Sequence, residues 1–131
     1  MGKRNVFIAI MVLLLTILGL VNYKNNGFDI EIKNNTNENI SGLTITYKNI
    51  VKDVGIPEIQ PGETYKINLN PQESFSENSM IIYYKDKRGY VQRNTLIGYF
   101  EKGYNGRIKV NINSQDKNGL IIMQIQEKVK F

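Results

Sequence analysis

The sequence predicts an all-β fold, an antiparallel β-sandwich of about seven to eight strands preceded by one N-terminal transmembrane helix. Three observations lead to this prediction. Residues Val6–Val21 form an almost unbroken apolar run. After residue 27, apolar and polar residues alternate in short runs separated by turn-forming residues. No segment after residue 27 has a helical period of useful length.

The apolar run is predicted to be an uncleaved signal anchor. Thr16 is its only polar residue, and Lys3 and Arg4 precede it. A sixteen-residue helix spans about 24 Å, which is at the short end for a hydrocarbon core of about 30 Å, and flanking side chains can extend that span. The basic flank predicts a cytoplasmic N-terminus and a C-terminal domain outside a single-pass cell membrane protein.

A cleaved secretory signal is the alternative for this segment. Cleavage needs small residues at the end of the run, and residues 17–22 offer only Gly19. If cleavage occurs, the protein is secreted. A buried helix of a soluble domain is disfavoured because the run is apolar on every face. The chain has no cysteine that could carry a lipid, so any anchor is the peptide itself.

We therefore divide the chain into a signal anchor at 1–22, a short linker at 23–27 and an extracytoplasmic sandwich domain at 28–131. The first strands are predicted at FDIEIK and LTITYK, with a loop at 49–55 and a short strand at 56–60. TYKINLN follows the Pro61-Gly62 turn.

The second half of the domain begins with MIIYYKD, a turn at 87–89 and a longer strand at 90–100. RIKVNIN alternates, with Ile108, Val110 and Ile112 expected inward. Residues 116–119, Asp-Lys-Asn-Gly, predict a hairpin turn. The last run, LIIMQI, is apolar on both faces and predicts a central strand or one covered on both sides.

The stretches IEIKNNTNENISGLTITYK and IPEIQPGETYKINL together resemble the opening half of bacterial immunoglobulin-like surface domains. The shared features are a strand, an Asn/Thr turn, a second strand and a Pro-Gly-Glu turn into a third. The resemblance covers about forty residues and lacks the Cys–Trp–Cys core of antibody domains, because the chain contains neither residue type. It implies an immunoglobulin-like, extracytoplasmic binding or structural module without a specific ligand.

Composition excludes several kinds of chemistry. The absence of cysteine and histidine removes thiol nucleophiles, Ser–His and Cys–His catalysis, and the commonest metal ligands. We therefore expect no enzyme, no cofactor and no metal. The net charge of +5 suits anionic polymers or lipids and is too diffuse to indicate nucleic-acid binding. The abundance of Ile, Asn and Lys is typical of AT-rich bacterial genomes.

Two patches are candidate partner-binding sites. The first sets tyrosine beside clustered positive charge at a hairpin tip: Lys85, Lys87, Arg88, Tyr90 and Arg93. The alternative there is an ordinary solvated turn. The second holds Tyr104 and Arg107 beside Gly103 and Gly106, which permit a tight or bulged connection. The alternative there is a hairpin whose aromatic residues close the core. If both tips lie at one end of the sandwich, they form one contact surface.

These observations predict a membrane-anchored binding module of a Gram-positive-like bacterial cell that docks a protein partner through loops at one end of the sandwich. Anionic lipid or wall polymer is a further possible partner. The alternative is a secreted sandwich that binds wall polymers or anionic surfaces. A hydrolase using only carboxylates, such as Asp29 and Glu31, is disfavoured because both are expected on a solvated strand face.

Overall fold

The computed structural model describes residues 2–21 and 26–131, with the backbone alone at 14–21. These ranges form one helix and eight strands. The helix is α1, Lys3–Val21. The strands are β1 Phe28–Asn34, β2 Thr44–Tyr47, β3 Val54–Gly55, β4 Thr64–Leu69, β5 Asn78–Lys85, β6 Val91–Phe100, β7 Asn105–Gln115 and β8 Ile121–Lys130.

The strands form two four-stranded sheets, and the predicted β-sandwich is confirmed. The strand orders are β4-β1-β7-β8 and β3-β2-β5-β6. Adjacent strands are antiparallel except β1 and β7, where Phe28 pairs with Gly106 and Asn34 with Ile112 in parallel. The expectation of an entirely antiparallel sandwich is therefore wrong at one pair. A tight turn imposes antiparallel pairing only on consecutive strands, and β1 and β7 are far apart in sequence.

The core lies between the sheets and follows the predicted alternation. Ile30, Ile108 and Val110 are at most 1% exposed, as are their inward-facing neighbours on β1 and β7. Each such side chain stabilises the fold by about 1.5–3 kcal/mol relative to an exposed position. On the edge strand β4 the inward residues are only half-buried, although they pack against the same core: Tyr65, Ile67 and Leu69.

Phe100 closes one end of this core. Its ring lies 5.1 Å from the Phe28 ring and 5.5 Å from the Phe75 ring, centroid to centroid, in edge-to-face arrangements. Tyr47 approaches it at 6.4 Å. Edge-to-face pairs are favoured by the aromatic quadrupole, so the cluster fixes the end of β6 against the start of β1.

The stretch between β2 and β4 differs from the sequence prediction. The expected loop at 49–55 contains strand β3, which pairs with β2. The expected strand at 56–60 is reduced to a single bridge between Ile59 and Ile40. Both side chains are nonetheless buried, which explains the strand-like apolar signal without a ladder.

The prediction that the last apolar run forms a central or doubly covered strand is wrong. Strand β8 is an edge strand, paired only with β7. One of its faces packs on the core through Ile121 and Ile125, whereas Ile122 on the other face is 65% exposed. The local sequence alone does not distinguish an exposed apolar residue from a covered one.

The N-terminal helix presents exposed apolar side chains along the part where side chains are described. Phe7 is 70% and Leu13 61% exposed. In residues 2–21 and 26–131, no helix meets the length and apolar character required to cross a membrane. Of the predicted linker at 23–27, residues 23–25 lie outside the described ranges.

Candidate functional site

The two candidate tips lie at opposite ends of the sandwich. Strand β6 connects them. Its first residue Val91 pairs with Lys85, and its last residue Phe100 pairs with Asn78. Ten residues of strand span about 30 Å, so the expectation of one shared contact surface is wrong. We call the end that carries the 86–90 turn the distal end, and the end where Gly27 precedes β1 the basal end.

Two hairpin turns of the same construction form the distal end. In the first, Asp86 Oδ1 accepts hydrogen bonds from the backbone N–H groups of Arg88 and Tyr90 at 2.9 and 3.0 Å. In the second, Asp116 Oδ1 accepts from Asn118 and Leu120 at 2.8 and 2.9 Å. Because an aspartate can cap its own turn in this way, both loops are held in one conformation. We call the turns 86–90 and 116–120 together the distal tip.

A glycine closes each turn. Gly89 and Gly119 have φ values of 89° and 78°, a left-handed conformation that glycine adopts without a steric penalty. The N–H of each glycine donates to the carbonyl oxygen of the aspartate three residues earlier, at 3.0 and 2.9 Å. This combination of a tight turn and a left-handed glycine is typical of hairpins with a bulged last position.

Asp86 differs from Asp116 because its carboxylate is buried. The Asp86 side chain has no exposed surface, whereas Asp116 is exposed. The second oxygen of Asp86, Oδ2, accepts hydrogen bonds from Arg88 Nη2 at 2.8 Å, Arg88 Nε at 3.2 Å and Gln92 Nε2 at 3.1 Å. Five hydrogen bonds therefore converge on one carboxylate, which satisfies it in place of water.

These contacts determine the acidity of Asp86. Burial of the carboxyl raises its pKa, but the hydrogen bonds from the Arg88 side chain and from the Tyr90 backbone N–H outweigh that effect. Together with Gln92 they lower the pKa from 3.8 to about 2. Asp86 is therefore ionised throughout the physiological pH range, and its negative charge is available to hold Arg88.

The side chains of Arg88 and Tyr90 extend into solvent from the turn that Asp86 holds. The Arg88 guanidinium lies over the Tyr90 ring, 5.3 Å from its centroid. Tyr90 is 64% exposed, and the Arg88 side chain is 44% exposed. The stacking and the ion pair limit the conformations of both side chains. The tip thus presents a planar cation and an aromatic ring in a preorganised arrangement.

The two turns are joined across the sheets. The Lys87 N–H donates to the Asn118 carbonyl oxygen at 2.9 Å. Behind them, the buried Tyr84 hydroxyl accepts from the Ile121 N–H at 2.8 Å and donates to the Ile121 carbonyl oxygen at 3.4 Å. These bonds connect β5 to β8, so the distal tip is a single unit built from both sheets.

Five basic side chains lie in the two turns and on the adjoining strands, and the acidic residues of the same region include Asp86, Asp116 and Asp53, which accepts a hydrogen bond from Tyr83 beside Arg93. Lys85, Lys87 and Arg93 are exposed, as the sequence predicted, and Lys117 lies on the second turn. The structure thus brings together all five residues of the first predicted patch on one strand–turn–strand segment, within reach of a second turn that was not included in it.

The second predicted patch lies at the basal end, and its two residues have different surroundings. Tyr104 is half-buried and packs against the core, with its ring 6.3 Å from Tyr99 and 5.5 Å from Phe131. This matches the alternative in which aromatic residues close the core. Arg107 is exposed on β7. Gly103 has a φ of 89°, but Gly106 has an ordinary φ and is needed because a Cβ there would overlap the Lys128 carbonyl oxygen.

The acidic pair lies on the outer face of β1. Asp29 accepts a hydrogen bond from Asn68 at 2.9 Å, and Glu31 lies 3.8 Å from Lys66. Among the described residues, no group of three or more acidic, histidine or cysteine side chains is close enough to hold a metal ion. The arrangement is an exposed polar sheet face with cross-strand pairs.

Sequence reasoning did not identify Asp86 as the organiser of the tip. A signal was present, since Asp-Lys-Arg-Gly at 86–89 and Asp-Lys-Asn-Gly at 116–119 repeat one turn pattern. That the two turns meet depends on the sheet order and cannot be read from either segment alone. Comparison with protein families, curated proteins and solved structures finds no match for this chain.

Proposed function

We propose that this protein is a membrane-anchored, extracytoplasmic interaction module of a Gram-positive-like bacterial cell. Residues 1–22 anchor it, the immunoglobulin-like sandwich stands outside, and the distal tip docks a protein partner. The role is binding rather than catalysis. The observation that carries the proposal is the preorganised Arg88–Tyr90 pair on the buried Asp86 carboxylate, at the end farthest from the segment that leads to α1.

The anchor is supported by the composition of the complete run Val6–Val21, of which the structure describes side chains as far as Leu13. The large apolar side chains from Val6 to Leu13 are 40–70% exposed. A soluble domain rarely leaves such a continuous apolar surface uncovered, and lipid would cover it. Lys3 and Arg4 favour retention of the N-terminus in the cytoplasm.

The tip is supported as a docking surface by its chemistry and rigidity. Arg and Tyr are enriched among residues that dominate binding energy. A side chain that is already held in its binding conformation loses less entropy on association. Within the two turns, Lys87, Arg88 and Lys117 are exposed, whereas of the two aspartates only Asp116 is exposed, so the fitting partner presents an acidic surface.

Site-specific photo-crosslinking tests this proposal in membranes. A photoreactive residue at Lys87 is expected to give a discrete adduct, and one at Thr95, exposed on the outer face of β6, is expected to give none. The adduct should disappear when Arg88→Ala and Tyr90→Ala are combined. An adduct that survives the double substitution, or that forms equally from Thr95, would contradict docking through the tip.

The secreted alternative predicts a different outcome. If the run is removed at about residue 21, the domain is found in the medium, and its excess of positive charge favours wall polymers. Binding to isolated wall material that is lost in high salt, with no membrane adduct, would support that function in place of the anchored one.

A further inference from the structure

The outer surface of the basal end brings three basic side chains close together on neighbouring strands. Arg107 on β7 is the direct cross-strand partner of Lys128 on β8, and Asn105 pairs with Lys130. Like charges in direct opposition on one sheet face repel each other. Asp29 on β1 is the cross-strand partner of Arg107 on its other side, so one carboxylate offsets part of this charge and a net positive charge remains. One open groove holds all of these residues: Asp29, Asn105, Gly106, Arg107, Lys128 and Lys130.

Aromatic rings continue this surface. The Tyr104 ring makes edge-to-face contacts with the rings of Tyr99 and Phe131. Tyr99 is 51% and Phe131 98% exposed. The Tyr99 hydroxyl donates a hydrogen bond to Glu101, and Glu77 lies near the same tyrosine. Exposed aromatic rings beside basic groups are typical of surfaces that meet the headgroup region of a bilayer.

The path of the chain places this surface near the anchor. The Gly106 N–H donates to the Gly27 carbonyl oxygen at 3.1 Å, so the first described residues of the domain lie beside the basic groups. Six residues separate Val21 from Phe28. A chain of that length spans at most about 25 Å even when fully extended.

We infer that the basal surface, comprising Tyr99, Arg107, Lys128, Lys130 and Phe131, lies on the anionic phospholipid headgroups of the membrane that holds α1. The inference rests on the proposed anchor. Anionic headgroups balance the positive charge of Arg107, Lys128 and Lys130 that Asp29 leaves uncompensated, and the exposed rings enter the interface. The contact orients the sandwich upright, with the distal tip about 30 Å from the bilayer.

Depth-sensitive fluorescence on the full chain tests this inference. The chain has no cysteine, so one introduced cysteine is a unique labelling site. Ser76→Cys places a fluorophore at the basal end, and Asn37→Cys places one at the distal end; both positions are exposed. The protein is reconstituted into phosphatidylcholine vesicles with or without phosphatidylglycerol, and a headgroup-linked nitroxide serves as quencher.

Quenching of the Ser76→Cys label is expected to be stronger on vesicles with phosphatidylglycerol than on phosphatidylcholine alone. The Asn37→Cys label is expected to remain unquenched on both. Raising the salt concentration should remove the difference, because exposed charge interactions are screened over a few ångströms in concentrated salt. Because this salt experiment leaves every basal charge in place, its result does not depend on whether a charge variant folds.

Two charge-matched double variants locate the contact. R107Q/K128Q removes two basal charges, and K33Q/K117Q removes two exposed charges from the distal half of the domain. The ratio of domains whose basal surface contacts the lipid to domains whose basal surface does not should fall about fivefold for each basal charge removed. The control double variant should change it much less. Equal effects of the two variants, or quenching independent of phosphatidylglycerol, would overturn the inference.

Alkaline extraction separates this failure from failure of the anchor. Protein that remains in the vesicles after carbonate extraction, but shows no dependence on anionic lipid, contradicts only the basal contact. Protein that carbonate removes from the vesicles contradicts the anchor itself, and the basal contact is then rejected with it.

Discussion

Arg88 Nη2 lies 2.8 Å from Asp86 Oδ2, and this pair joins a fully buried carboxylate to a guanidinium that remains partly open to solvent. An exposed surface pair of this kind contributes little to stability because both groups are hydrated. Here one partner is desolvated and receives further hydrogen bonds from the turn backbone. The buried carboxylate therefore holds Arg88, which stacks on Tyr90, in the conformation that is proposed to bind the partner.

Asp86→Asn should release Arg88 while keeping the size of the side chain. The amide can still satisfy part of the turn, but it lacks the charge that strengthens the bonds to the guanidinium. We expect partner binding to weaken about tenfold, as for the loss of a strong interface contact. Titration with the partner identified by crosslinking measures the dissociation constant. In NMR, the Arg88 Nε–H proton should lose its protection from exchange with solvent.

Asp116→Asn is the matched control for that substitution. Asp116 caps the same turn motif but is exposed, and its Oδ1 atom accepts hydrogen bonds from the backbone N–H groups of Asn118 and Leu120. Its loss should loosen the second turn without freeing Arg88. If Asp116→Asn weakens partner binding as much as Asp86→Asn, the Asp86–Arg88 pair has no special role.

The lowered pKa of Asp86 predicts an acid-sensitive contribution to stability. A carboxyl with a folded-state pKa of about 2, against 3.8 ordinarily, binds its proton more readily in the unfolded chain. Its contribution is therefore complete above about pH 4 and is lost as the pH falls towards about 2. Urea unfolding of wild type and Asp86→Asn should show a stability difference that becomes smaller as the pH falls over this range.

Other carboxyl groups titrate in the same range, including Asp53 and Glu73, whose pKa values are also lowered by hydrogen bonds. Their contributions cancel in the stability difference between wild type and Asp86→Asn, because both proteins contain these groups. A difference that stays constant from neutral pH to about pH 2 would mean that the Asp86 charge contributes nothing in the folded state.

Tyr84→Phe should weaken the connection between the two hairpins at the distal end. The substitution leaves the buried Ile121 N–H without its partner and removes the bond between β5 and β8. An unsatisfied buried donor costs about 1–3 kcal/mol. Tyr83→Phe is the control, because the Tyr83 hydroxyl bonds the exposed Asp53, and its loss should be smaller. Chemical denaturation measures both; equal losses would contradict the bridging role.

Gly106→Ala should weaken the pairing of β7 with β8. A methyl group there overlaps the Lys128 carbonyl oxygen, so the backbones must move apart. We expect a loss of about 1–3 kcal/mol, as for overpacking in a core. Gly98→Ala, where a Cβ meets no neighbour within 4 Å, should change stability by less than about 0.5 kcal/mol. Thermal unfolding of the two variants distinguishes these expectations.

Sequence patterns predicted those parts of the fold that depend on local alternation. The runs around Ile30, Ile45 and Ile108 became buried strand faces because one side of each strand meets the opposite sheet. The Asp116–Gly119 turn was also predicted, since its chemistry is contained in four residues.

Features that depend on strand order were not predictable in the same way. Nothing local marks β8 as an edge strand or β1 as parallel to β7. The sequence alone does not show that strand β6 separates the two candidate tips, because the ends of a strand are located only when its partners are known. The ten residues of β6 make the two tips opposite. Arg88 and Tyr90 were identified from their type, whereas the role of Asp86 required its burial.

The intact mass of the protein from fractionated cells tests the central claim most directly. Cells of a Gram-positive host producing the full chain are divided, and one half receives external protease without lysis. We predict the full-length mass in the membrane fraction and loss of the sandwich domain in the treated half. A mass that lacks about the first 21 residues, recovered from the medium, would contradict an anchored module whose distal tip faces outward.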